Sequence, residues 1–167
     1  MCYDRIMATV FIALGSNVGD SQKNIQQATD LLGEYISNIQ SGNFYSSKAL
    51  LVPGHPDLPD FVNTAIRGET ELSAQELLQF TQKIEKEVGK VYRFHWGPRE
   101  IDIDIIFYGD QIINKPNLKV PHPHFHERDF VLQPLADIDP DKIDPKSGQP
   151  ISKLLQSLPK SELSILQ

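Results

Sequence analysis

The chain has one cysteine, Cys2, among 167 residues, so no internal disulfide holds it together. Stability must come from packing, and a reducing compartment is the expected setting. Positive charge is in deficit: 16 Lys and Arg against 22 Asp and Glu give a formal net charge of −6. That argues against a nucleic-acid surface and fits a protein that takes an anionic ligand with the help of metal ions. Long hydrophobic runs are missing too. The apolar run from Ala8 to Leu14 is broken by Gly15-Ser16-Asn17, too soon for a signal sequence. No stretch approaches the roughly 18 apolar residues of a membrane span. The expected setting is the cytoplasm, with no membrane and no nucleic acid as partner. No G-x-x-x-x-G-K-[ST] loop is present, so a nucleotide is not held in the Walker manner. No repeat, low-complexity tract or linker interrupts the chain, and residues 1–167 read as a single domain.

What is there reads as alternating strands and helices. Thr9–Leu14 is an uncharged, partly β-branched run and predicts a buried strand. Asp20 or Ser21 caps a helix carrying Ile25, Ala28, Leu31 and Leu32, to about Tyr35. Ile39–Ser47 has strand character. Leu51–Pro59 holds four breakers, Pro53, Gly54, Pro56 and Pro59, and is a loop. Phe61–Arg67 resumes as a strand. Ser73-Ala74-Gln75-Glu76 is a capping box that opens a second helix, with Leu77, Phe80, Ile84 and Val88 on its buried face and Gly89 at its end. Lys90–Arg99 is irregular, Ile101–Tyr108 a strand, and Ile112–Val120 a hairpin. Short helices are expected at Glu127–Leu132 and Ile151–Leu158. The order predicts an α+β, ferredoxin-like βαββαβ antiparallel sheet with both helices on one face, plus a C-terminal hairpin and short helices.

The strongest chemical signal is Ile101-Asp102-Ile103-Asp104-Ile105-Ile106. Alternation points both aspartates one way and the isoleucines the other. The isoleucines suggest a central strand, where two unpaired like charges are costly unless divalent cations neutralise them. Carboxylate oxygens suit Mg²⁺, which takes its remaining ligands from water and phosphates. A solvated acidic face accounts for the alternation alone equally well. Context shifts the balance: Trp96-Gly97-Pro98-Arg99 stands just before, with a flat face for a heterocycle and a fork for phosphate oxygens. Trp96 also has a plain reading as a core anchor of the loop. Lys90, Arg93 and His95 add charge that closes over a triphosphate or is merely solvated. His122, His124 and His126 alternate, but two prolines interrupt them and no cysteine joins them, so phosphate contacts from His122 and Arg128, with Phe130 stacking on a ring, fit better than zinc.

Ile12-Ala13-Leu14-Gly15-Ser16-Asn17, Phe61-Val62-Asn63-Thr64-Ala65, Trp96 to Ile105, Val120-Pro121-His122 and Arg128 to Leu135 together resemble the 6-hydroxymethyl-7,8-dihydropterin pyrophosphokinase family, over about residues 9 to 140. The resemblance implies transfer of pyrophosphate from ATP to the pterin hydroxymethyl group, with release of AMP, on the way to tetrahydrofolate. It implies two Mg²⁺ ions on Asp102 and Asp104, and Arg99 stabilising the transferred group. It sets Gln82, Glu85, Trp96, Arg99, His122 and Arg128 on the ATP side, and Ser47, Phe61, Asn63, Trp96 and Phe130 on the pterin side. Lys90 and Arg93 stand in the loop where the family commonly carries Gly-Arg-x-Arg, so a catalytic part falls to them. Tyr92 and His95 depart from that pattern, as do Ser47-Lys48 where Thr-Pro is usual. Residues 1–7 precede the usual start, which makes Met7 a candidate initiator. The expected partners are the two small substrates only, and a monomer is expected. A related transferase acting on another alcohol, an RNA-binding module of the same fold and an inactive family member are the rival readings.

Overall fold

The computed structural model describes residues 6–49, 51–55 and 57–166. Cys2, most of the N-terminal extension and Pro56 of the proline-rich loop lie outside them.

The first strand, β1 (Ala8–Ser16), leads to α1 (Ser21–Leu32), whose N-cap Asp20 accepts the Lys23 backbone N–H at 3.1 Å. The helix stops at Leu32, short of Tyr35, because Gly33 closes it by donating to Thr29 and Asp30. The predicted strand Ile39–Ser47 is two pieces, β2 (Ser37–Ser41) and β3 (Phe44–Ser47), both antiparallel to β4 (Phe61–Thr70). Next come α2 (Ala74–Val88), with its capping box formed and Gly89 at φ 106°, and β5 (Asp102–Tyr108). The hairpin is β6 (Ile113–Lys115) and β7 (Leu118–Val120). The single helix expected at Glu127–Leu132 is instead a 3-10 turn, Phe125–Glu127, followed by α3 (Asp129–Ile138), which runs through Pro134. Finally α4 (Ile151–Gln156) precedes an unexpected strand, β8 (Ser164–Leu166).

The antiparallel sheet has the order β5-β1-β4-β3-β8, with β2 also beside β4. This is the ferredoxin-like arrangement, extended by one strand. It corrects one expectation: β5 is an edge strand, not a central one. Its isoleucines are buried because α2 packs across it and β7 runs close by. The two helices of the βαββαβ unit share one face as expected, and the C-terminal helices α3 and α4 cover the other. Val10, Ile12 and Leu14 of β1 meet Ile25, Leu32, Leu77 and Ile84 of α1 and α2. Phe11 and Ala13, on the other face, meet Leu132 and Leu135 of α3 and Ile151 of α4. Period-2 alternation of a strand that is apolar on both sides therefore builds two cores. No helix among the described residues is long and apolar enough to cross a membrane.

The split between β2 and β3 has a tertiary cause. A Cβ on Gly42 would lie 2.5 Å from the Pro134 carbonyl oxygen, so α3 seats directly on this backbone. Asn43 leaves the ladder and donates its N–H to Asp137 at 3.1 Å. Gly42→Ala is expected to lower the stability by about 1–3 kcal/mol, the scale of overpacking. A urea titration with an unchanged midpoint would show that α3 does not depend on this approach.

Candidate active site

Strand polarity gathers the chemistry at one end of the sheet. The end of β1, the end of β3, the start of β4 and the start of β5 lie side by side, since Gly15 pairs with Asn63 and Asp102, and Ser47 pairs with Phe61. Here a groove of about 290 Å³ opens on the α3 face. It is lined by Ser47, Phe61, Asn63, Trp96 and Phe130, by Arg99 and Arg128, and by Asp102 and Asp104. All five residues assigned by sequence to the ring side, both arginines and both aspartates thus share one cavity.

The carboxylates face it because Asp104 pairs with Ala13 and Asp102 with Gly15, and cross-strand partners share a face. Their small partners leave room above the strand. A register shift then ends the strict alternation, and Ile106 and Phe107 both enter the α3-side core. Asp102 is held by cations: Arg99 Nη1 donates to one oxygen at 2.6 Å and Lys90 Nζ to the other at 2.6 Å. Lys90 also reaches Glu85 at 2.9 Å, and Glu85 accepts the Ile103 backbone N–H at 2.8 Å. Burial pushes the Glu85 pKa up, against the pull of Lys90. Burial alone would lower Lys90, but Asp102 and Glu85 outweigh it and raise its pKa. Those two shifts oppose each other across one ion pair. Two carboxylates within 2.9 Å decide for a charged Lys90.

Asp104 forms no hydrogen bond or ion pair with a described residue. Burial, and then the like charge of Asp102, raise its pKa. Its side chain is nevertheless open to water through the groove mouth, so the neighbouring Asp102 is the firmer of the two causes.

The walls are aromatic. Trp96 is 53% exposed, which excludes the core-anchor reading, and it sits at φ 60°. Phe130 carries the Arg128 guanidinium 5.9 Å from its ring centroid. Asn63 donates Nδ2 to Ser47 Oγ at 2.8 Å, and a Cβ on Gly15 would lie 3.2 Å from Asn63 Oδ1, so glycine there leaves the amide its place. The two irregular loops touch, His55 stacking on Phe94 with centroids 3.9 Å apart.

Other sequence-assigned residues lie outside the groove. Gln82 is exposed on α2, one turn before Glu85. Arg93 braces its own loop by pairing with Glu100, whose pKa it lowers to about 2. His122 lines a separate cavity with Pro121, Phe125, His126 and Ser147, and its backbone N–H donates to Ile106 on β5 at 3.1 Å. Sequence reasoning passed over Lys48 and Glu127, which line the groove, and Asn17, which is 4% exposed and bonded to two loops. Only its place in the Gly-Ser-Asn turn marked Asn17.

No group of three or more His, Cys, Asp or Glu side chains placed to hold a metal ion occurs among the described residues. An ion at Asp102 and Asp104 therefore needs other ligands from water or phosphate, which is how Mg²⁺ is commonly held. The unpartnered Asp104 and the cations drawn to Asp102 show a donor set that fits a hard cation.

Flat walls set against paired carboxylates and arginines define the class of site: one that suits a flat ring beside phosphate groups, as enzymes of phosphoryl transfer have. Residues 11–140 match the family model for 7,8-dihydro-6-hydroxymethylpterin-pyrophosphokinase (HPPK). The chain belongs to this family. It is 44% identical over 147 residues to the 2-amino-4-hydroxy-6-hydroxymethyldihydropteridine pyrophosphokinase of Aquifex aeolicus, covering 88% of this chain and 90% of that protein. The enzyme of the same name from Haemophilus influenzae is 40% identical over 153 residues, with 90% and 92% covered. Among solved structures, wild-type HPPK-DHPS of Plasmodium falciparum superposes with a TM-score of 0.69 at 14% identity, which speaks for the fold. The match covers 90% of this chain but only 44% of that longer one.

His122 gives a pH test. Burial, then Arg128 and His124, lower its pKa from 6.5 to about 4. The unfolded chain takes up this proton near pH 6.5 and the folded one only near 4, so stability falls as pH drops through that window. NMR titration is expected to show the His122 ring neutral at pH 5.5. A midpoint near 6.5 would overturn the burial argument.

Proposed function

We propose that this chain transfers the pyrophosphoryl group of ATP to the hydroxymethyl group of 6-hydroxymethyl-7,8-dihydropterin, with the pterin in the aromatic half of the groove and the triphosphate over Asp102 and Asp104. The observation that carries it is the meeting in one cavity of Asn63, Phe61, Trp96 and Phe130 with the carboxylate pair and Arg99. Asn63 offers an amide to the donor-and-acceptor edge of a pterin, and Trp96 and Phe130 offer ring faces. The hydroxymethyl oxygen attacks the β-phosphorus, the bond from that phosphorus to the α–β bridging oxygen breaks, AMP leaves, and the hydroxyl proton passes to solvent. Such a reaction calls for positioning and charge neutralisation rather than a protein nucleophile.

Asp102 and Asp104 would hold Mg²⁺, which supplies charge neutralisation for the triphosphate. Arg99 meets the transferred group, and Arg128 adds charge at the groove wall. Lys90 and Arg99 keep Asp102 neutralised, and Glu85 keeps Lys90 in reach and ties α2 to β5. The nucleotide is assigned to the outer edge of β5, flanked by Gln82 and Glu85 from α2 and by His122 at Ile106. Lys90 contributes through Asp102, and Arg93 through the shape of its loop. The same reading takes the protein as a cytoplasmic monomer using two Mg²⁺ ions.

The test follows AMP and pyrophosphorylated pterin from ATP, Mg²⁺ and the pterin alcohol. Wild type is expected to form both, with EDTA abolishing the reaction. Asp104→Asn, which keeps the shape and removes the charge, is expected to lower kcat at least about a hundredfold. Well-folded wild type that yields no AMP would sink the reading, and full activity in Asp104→Asn would sink the metal assignment.

A further inference from the structure

We infer that Asn17 is a positioning residue for this reaction, its side-chain amide acting through both ends: the carbonyl fixes Arg99 on the nucleotide side, and the NH₂ fixes the end of the 51–59 loop on the ring side. The inference rests on the pyrophosphokinase reading above.

Asn17 is 4% exposed, so each of its polar atoms needs a partner. Its Oδ1 accepts the Arg99 backbone N–H at 2.8 Å, and its own backbone N–H donates to the Arg99 carbonyl at 3.0 Å. Both main-chain groups of Arg99 are thereby taken by one residue, much as in a rung of a ladder. From that fixed backbone the guanidinium reaches Asp102 at 2.6 Å. At the other end, Asn17 Nδ2 donates to the Pro59 carbonyl at 3.0 Å, two residues before Phe61 on the groove wall. The hub is itself anchored. Asn24 on α1 donates to Val18 O at 2.9 Å and Glu100 O at 3.1 Å, pinning the residues that follow Asn17 and Arg99.

A carboxamide is the smallest side chain that presents an acceptor and a donor a fixed distance apart. Aspartate keeps the acceptor for Arg99 but sets oxygen against the Pro59 oxygen. Leucine has similar volume and neither function. The two arms are therefore separable by chemistry. A buried asparagine with a purely structural part would lower stability and the active fraction alike, leaving both KM values untouched.

The experiment is steady-state kinetics of wild type, Asn17→Asp and Asn17→Leu with ATP and the pterin alcohol, beside urea titrations that establish folding. Asn17→Asp is expected to raise KM for the pterin roughly tenfold, the scale of one unsatisfied buried hydrogen bond, with KM for ATP within about twofold of wild type. Asn17→Leu is expected to raise both and to lower kcat. Should Asn17→Asp fail to fold, Asn17→Ser, whose short side chain leaves room for water, is expected to raise both KM values. Unchanged KM values in the folded variants, or an equal rise for both substrates in Asn17→Asp, would overturn the inference. Inactive wild type would instead refute the pyrophosphokinase reading, and Asn17's part with it.

Discussion

Two like charges stand two residues apart on one face of a strand, roughly 6.5–7 Å from each other, and the ion pairs at this end of the sheet answer to them. Asp102 is satisfied from within by Arg99 and Lys90, and Lys90 is shared with Glu85. Asp104 is not satisfied, and only the longer-range fields of Arg128, Lys90 and Arg99 soften its charge. The strand opposite carries Ala13 and Gly15, which keep the space above the carboxylates open. The protein thus balances the charge of one carboxylate by pairing and leaves the other without a bonded partner among the described residues.

The edge position of β5 belongs to the same logic. A central strand would have a neighbour on either side, whereas β5 pairs only with β1. Its outer flank meets Glu85 of α2 at Ile103, Lys90 of the 90–99 loop at Asp102 and His122 at Ile106. The opposite requirement, a rigid base, is met by β1, which pairs with β4 on one side and β5 on the other and packs a core against each of its faces.

Much of this was legible in the residues. β1 announced itself by an uncharged β-branched run, α2 by its capping box and terminal glycine, and the carboxylate pair by alternation. Ser47, Phe61 and Asn63 were reachable only through family resemblance, because they lie on β3 and β4 and no local pattern joins them to Trp96 or Phe130. What escaped was non-local. Nothing in the sequence of β5 says how many neighbours it has. Gly42 reads as an ordinary residue until α3 is seated on it. Pro134 reads as a helix boundary, yet α3 runs through it because Val131, Leu132 and Leu135 are buried on the sheet. Asn17 reads as a turn residue, since its partners at Pro59 and Arg99 lie 42 and 82 positions away. Lys90 and Arg93 were legible as charge but not as partners of Asp102 and Glu100.

Trp96 is the chain's only tryptophan, and it stands half exposed on the groove wall. All indole emission from the unlabelled protein therefore originates where the ring of a substrate or inhibitor would dock. A flat ring seated against that wall would change the surroundings of this one indole. The chain thus carries a single tag-free reporter, placed on the groove wall.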